Sequence, residues 1–130
     1  MIAPQLKTIA VADDDPIYTT ALKSLLTSWE IKNPFLFFAN GKEALDFIRV
    51  KEASELPDVL LLDLNMPVMN GWTFIENFTL IAPQLEKNIS IYLVTSSIWE
   101  EDLKRAEKNK LIKEFITKPI NREKFLEILG

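Results

Sequence analysis

The chain has 130 residues, 48% of them hydrophobic and 26% charged, enough for one compact domain with a real core and little left for a second. Nineteen acidic against fifteen basic side chains give a net charge of -4 at pH 7, the wrong sign for affinity that rests on counterion release, so direct nucleic-acid binding is not expected. With no cysteine and no histidine, the sequence excludes disulfides, thiol nucleophiles, Cys/His zinc sites and a Ser-His-Asp triad, leaving carboxylates, hydroxyls and lysines for any chemistry.

Residues 1–6 lack a basic stretch followed by an apolar one, and the apolar runs are too short to cross a bilayer, so a soluble, cytoplasmic chain with no membrane contact is expected. Residues 7–12 form a short apolar run with β-branched members that ends on three aspartates. Over residues 16–29, Tyr18, Ala21, Leu22, Leu25, Leu26 and Trp29 then recur at helical spacing. The second unit repeats this grammar: residues 35–39 read as a buried strand, Asn40-Gly41 as a turn and helix start, and Ala44, Leu45 and Ile48 as one helix face. A third strand, residues 59–62, is wholly apolar and runs into Asp63. After a loop at 65–70, a helix starts near Gly71 and turns Phe74, Ile75 and Phe78 inward, and Pro83 leaves open how far it continues. Residues 89–95 read as a fourth strand, 99–108 as a charged helix, 111–116 as a fifth strand, and 121–129 as a final helix with Phe125 and Leu129 in register.

Five strands alternating with five helices, the strands continuously apolar, predict an α/β fold whose parallel sheet is covered on both faces. Ligands of such folds sit outside the carboxyl ends of the strands, where the strand order reverses. Chain order puts Asp13, Asp14 and Asp15 after the first strand, Asp63 after the third, Thr95, Ser96 and Ser97 at the fourth and Lys118 after the fifth. Carboxylates about 4 Å apart repel by roughly 4 kcal/mol per pair at an effective dielectric of about 20, so Asp13, Asp14 and Asp63 gathered at one edge call for a cation. Magnesium, a hard ion that takes oxygen ligands, answers that need.

The segments Val11-Ala12-Asp13-Asp14-Asp15-Pro16, Leu61-Leu62-Asp63-Leu64-Asn65-Met66-Pro67-Val68-Met69-Asn70-Gly71, the Thr95-Ser96 pair and Thr117-Lys118-Pro119 resemble, in this order, the bacterial response-regulator receiver domains over nearly the whole chain. The resemblance implies a single receiver domain over residues 1–130, a flavodoxin-like (βα)5 doubly wound fold with strand order 2-1-3-4-5 and helices on both faces. It implies Asp63 as phosphoacceptor and Mg2+ (or Mn2+) as cofactor, held by Asp14, Asp63 and the backbone carbonyl of Asn65 directly and by Asp13 through water. Thr95 and Lys118 would contact the phosphoryl group, and Thr95 and Phe115 would act as the switch. That switch re-presents the surface of the fourth helix, fifth strand and fifth helix to a downstream protein. Because the chain has no histidine, the phosphohistidine donor is another molecule, a histidine kinase or phosphotransfer protein, or else a small phosphodonor serves. Such a domain is not a turnover enzyme: it catalyses only its own phosphoryl transfer and slow autodephosphorylation. The same resemblance implies a cis bond before Pro119 that aims Lys118 at the site.

Ordinary readings stand beside these. Asp15 before Pro16 reads better as a helix N-cap than as a metal ligand, with an acid pair at Asp14 and Asp15 as the lesser alternative. Asn65, Asn70 and Gly71 fit turn chemistry, and for Asn65 both readings coexist because only its backbone is needed. Thr95 suits strand-end capping as well as phosphoryl contact, whereas Lys118 beside an acidic edge reads as an internal counter-charge. The mixed charges of residues 100–108 suit a solvated face, and Trp29, Trp72 and Trp99 suit packing or partner contact. A flavin carrier of the same fold would need a hydroxyl- and glycine-rich loop where three aspartates stand. An aspartyl-phosphate hydrolase would need a titratable acid where Asn65 stands. A phosphorylation-independent, receiver-like interaction module is the remaining alternative.

Overall fold

The computed structural model describes residues 6–66 and 69–130, so residues 1–5 and the middle of the 65–70 loop lie outside the described residues. Short, mostly apolar runs become β1 (Ile9–Ala12), β2 (Phe35–Phe38), β3 (Val59–Asp63) and β4 (Ser90–Thr95), while β5 (Ile112–Thr117) departs from the expected continuously apolar pattern by carrying exposed Lys113 and Glu114 on an edge of the sheet. The helices between and after them are α1 (Pro16–Ser28), α2 (Gly41–Val50), α3 (Gly71–Ile81), α4 (Glu100–Glu107) and α5 (Arg122–Leu129). All pairings are parallel and the order is β2-β1-β3-β4-β5, the flavodoxin-like arrangement expected from the sequence.

Side-chain caps set where most helices begin. Asp15, Asn40, Asn70 and Asn121 each accept from the free N–H groups of the helix that follows. Asp15 takes the N–H groups of Ile17 and Tyr18 while Pro16 opens α1, so the Asp-Pro step is the N-cap it was read as. α4 has no such cap; it opens on Glu100, Glu101 and Asp102, whose charges suit a helix N-terminus. α1 ends on Glu30 at φ 58, with the Ile31 N–H returning to the Leu26 carbonyl and the Glu30 N–H to that of Thr27.

Strand residues alternate between two cores because successive side chains leave opposite faces. Ala10, Ala12, Leu60, Leu62, Ile91 and Leu93 pack with Ala44, Leu45 and Ile48 of α2, Phe74, Ile75 and Phe78 of α3 and Ala106 of α4. Ile9, Val11, Val59, Leu61, Val94 and Ile116 pack with Leu22 and Leu26 of α1 and Phe125 and Ile128 of α5. Phe74 and Phe125, both fully buried, anchor the two sides; truncating either to Ala would cost about 3–5 kcal/mol.

The structure narrows several expectations. On α1, Ala21 and Leu25 face solvent while Leu22 and Leu26 are buried, because one helix on an outer layer buries a narrower stripe than its apolar periodicity suggests. On α5 the buried partner of Phe125 is Ile128, with Leu129 only half-buried. β2 is half-exposed along its length because it forms an edge of the sheet. Pro83 ends α3 through a 3-10 turn, Ala82–Gln84, and a second such turn, Ala53–Glu55, follows α2 with no sequence signal read for it.

Candidate functional site

Register brings the polar groups together. Ala12 pairs with Leu62, so Asp13 and Asp63 leave adjacent strands side by side; Asp63 pairs with Val94, and Thr95 with Thr117, so Thr95 and Lys118 follow at the same edge. Among the described residues, Asp13, Asp63 and Thr95 are the buried polar or charged side chains, and all three lie here. A core that admits polar side chains at this edge and nowhere else among those residues points to chemistry rather than chance.

Oxygens of Asp13, Asp14 and Asp63 lie within 4.8 Å of one another, with Asp14 exposed and the other two buried. The Lys118 ammonium reaches into this group, 2.5 Å from Asp13 Oδ2 and 3.6 Å from Asp63 Oδ2. Its backbone is fixed by a cis Lys118-Pro119 bond, as expected, and by the Lys118 N–H donating to the Thr95 carbonyl at 2.8 Å. Asp13 Oδ1 accepts the Asp15 N–H at 2.9 Å, and Asp63 Oδ1 accepts the Asn65 N–H at 3.2 Å. Burial pushes the Asp63 carboxyl above its ordinary value of 3.8; the Lys118 ammonium opposes this, and the neighbouring Asp13 charge adds to it.

Asn65 does more than the sequence reading required, since its side-chain amide also donates to the Thr95 hydroxyl at 3.4 Å. Phe115 stands apart from the acidic edge. From β5 it pairs with Leu93, two residues before Thr95 on the same face of β4, and packs half-buried on the α4 side. Tyr18, read from the sequence only as part of the apolar face of α1, turns its ring to the Lys118 ammonium at 4.2 Å. Burial first, then the charges of Asp13 and Asp63, push its phenol up to about 12. Helical spacing concealed this role, because a tyrosine on an apolar face gives no sign of which end of its ring matters.

Gly71 supports the site from below. A Cβ there would lie 2.9 Å from Leu64 Cα and 3.1 Å from the Asp63 carbonyl oxygen, so the start of α3 rests against the backbone that carries Asp63. The Gly71 N–H also donates to the Leu64 carbonyl at 2.8 Å.

The donor set consists of hard carboxylate oxygens with no thiolate or imidazole in the chain, which suits a magnesium-type ion. The arrangement can present one carboxylate, flanked by a cation site and an ammonium, to an incoming anionic phosphorus centre.

Comparison with known proteins agrees. The family described as the response regulator receiver domain matches residues 9–130. The sensor histidine kinase CheAY of Helicobacter pylori is 33% identical over 84 residues, covering 65% of this chain and 10% of that protein. The chain spans about a fifth or less of the length of the first curated relatives it matches. Among solved structures, a response regulator receiver protein from Dyadobacter fermentans is 26% identical, with a TM-score of 0.80 over 94% of each chain. The receiver domain of a sensor histidine kinase from Pseudomonas aeruginosa, solved with a magnesium ion coordinated in its active site cleft, has the same fold (TM-score 0.69, 20% identity, 95% of this chain and 93% of that one).

Proposed function

The chain belongs to the response regulator receiver family, whose function is to accept a phosphoryl group, and from that premise we propose that Asp63 is its phosphoacceptor. The observation that carries the assignment is the placement of the buried Asp63 carboxylate within 4.8 Å of two other carboxylates and 3.6 Å from the Lys118 ammonium. An Asp63 oxygen attacks phosphorus in line, the new P–O bond forms as the P–N bond to the donor imidazole breaks, and the imidazole leaves with the electron pair.

Asp14, Asp63 and the Asn65 carbonyl would hold Mg2+ (or Mn2+), with Asp13 acting through water. A bound divalent ion supplies charge neutralisation for the phosphoryl oxygens. Lys118 does the same, and its approach to Asp13 keeps it at the edge until the phosphoryl group arrives. Thr95 gives its hydroxyl to a phosphoryl oxygen, exchanging its contact with the Asn65 amide, and Phe115 on the same face follows by repacking. The surface of α4, β5 and α5 is then the one offered to a downstream protein. The chain turns over its own phosphoryl group alone, slowly losing it to water. Its donor is a histidine kinase or phosphotransfer protein, and its setting is the cytoplasm. Among the described residues no helix is long and apolar enough to cross a membrane.

The intact acceptor, acidic edge and lysine favour this reading over a module that works without phosphorylation. Intact mass spectrometry after incubation with magnesium and acetyl phosphate tests it. A single phosphoryl adduct is expected on the wild-type chain and none on Asp63→Asn or with chelator; an adduct that survives Asp63→Asn would sink the assignment.

A further inference from the structure

One neighbour of Lys118 has no part in the phosphoacceptor reading. Tyr18 sits on the first turn of α1, its N–H donating to the Asp15 cap at 3.3 Å, while the Asp15 N–H donates to Asp13. The loop that orders Asp13 therefore also orders the tyrosine. We propose that Tyr18 is a positioning residue for Lys118, its ring face holding the ammonium over the acidic edge ready for the phosphoryl group; this rests on Asp63 being the acceptor.

A lysine side chain is a hydrated point charge on a four-carbon stem, and holding it still means giving up rotamer freedom and water. Here the side chain is only 15% exposed, with Asp13 and Asp63 on one side and the Tyr18 ring 4.2 Å from the nitrogen on another. The negative face of an aromatic ring attracts the cation without taking a directed hydrogen bond. The ammonium has three N–H donors; Asp13 takes one, and Asp63 at 3.6 Å acts as an ion pair rather than a hydrogen-bond acceptor, so donors stay free for a phosphoryl oxygen. A hydroxyl or carboxylate in place of the ring would claim one of those donors. An aliphatic side chain would leave them free but would not attract the charge. On this account the phenol hydroxyl is dispensable and the ring is not.

The test compares initial rates of adduct formation from acetyl phosphate and magnesium in wild type, Tyr18→Phe and Tyr18→Leu, each alone and combined with Lys118→Met. Tyr18→Phe should keep the wild-type rate and Tyr18→Leu should slow it about three- to tenfold, the range a cation-ring contact supports, with neither change mattering beside Lys118→Met. In NMR spectra the Lys118 ε-protons should lie upfield of those of the other lysines in wild type and Tyr18→Phe, through the ring current, and return toward them in Tyr18→Leu. Equal rates for wild type and Tyr18→Leu, or a leucine effect of the same size in the Lys118→Met background, would overturn the positioning role. So would unshifted Lys118 protons in the wild-type chain, a readout that stands even if the leucine variant does not fold. Absence of adduct on the wild-type chain would instead overturn the phosphoacceptor assignment beneath it.

Discussion

Asp63 is held where its charge is disfavoured. Burial raises its carboxyl above the ordinary value, Lys118 only partly offsets that, and Asp13 and Asp14 add to it. Between the unfolded and the raised native value the folded chain holds more protons than the unfolded one, so without metal this group's contribution to stability falls as pH rises through that interval. Asp63→Asn removes the titration while keeping an oxygen for the Asn65 N–H. In chelator-containing buffer the variant should melt higher than wild type at neutral pH, the gap shrinking as pH falls into the carboxylate range; calorimetry across that range checks both parts. At this scale the sequence showed which acids converge, because each terminates an apolar strand. It did not show that the Lys118 ammonium lies nearer Asp13 than Asp63, nor that the Asn65 side chain reaches Thr95, because those depend on distances between strands. Glu30 was illegible for a different reason: a helix usually ends in the left-handed conformation on glycine, and no glycine marks the position here.

Among the helices, α4 is the least anchored by apolar burial, with Ala106 its one buried residue. Polar contacts to α3 take up the task. Trp72 Nε1 donates to Asp102 at 2.9 Å, Arg105 lies 4.3 Å from the centre of the same indole, and its guanidinium pairs with Glu76 at 3.2 Å. Asp102→Ala should speed amide exchange in α4 about fivefold or more, as expected for loss of a hydrogen bond of roughly 1 kcal/mol, while amides of β1 and β3 keep their protection. Uniform acceleration across the sheet would contradict a local clamp. The periodicity of α4 and the mixed charges on it read correctly as a mostly solvated helix, yet Trp72 and Asp102 are 30 residues apart and nothing local couples them. Strand identity was readable for β1 to β4 from their mostly apolar runs, and for β5, which carries the exposed Lys113 and Glu114, from its place in the alternation of strands and helices. The half-exposure of β2 was not legible in its composition, since an edge strand and a central strand can share one; only the expected strand order placed it at an edge.

Both cores grow on one sheet, so losing either would strip one face of the strands the other packs against. Trp29 packs with Phe125 on the α1 and α5 side, its ring centre 5.9 Å away, and Trp72 packs on the opposite side. With Trp99 also changed to Phe, urea unfolding followed by fluorescence in a Trp29→Phe background and in a Trp72→Phe background should each give one transition that coincides with the loss of helical circular dichroism in the same variant. Separate fluorescence and dichroism midpoints would mean that the two layers fold independently.

The close seat of Gly71 against the Asp63 carbonyl and Leu64 Cα reaches beyond stability to heredity. Position 71 carries no charge, no side-chain donor and no ligand atom, yet a single added methyl there must push on the strand end that carries Asp63. A change at one codon can therefore displace the Asp63 strand end while every acid, hydroxyl and lysine of the site is still encoded. A survey that counts those groups alone would not register such a change.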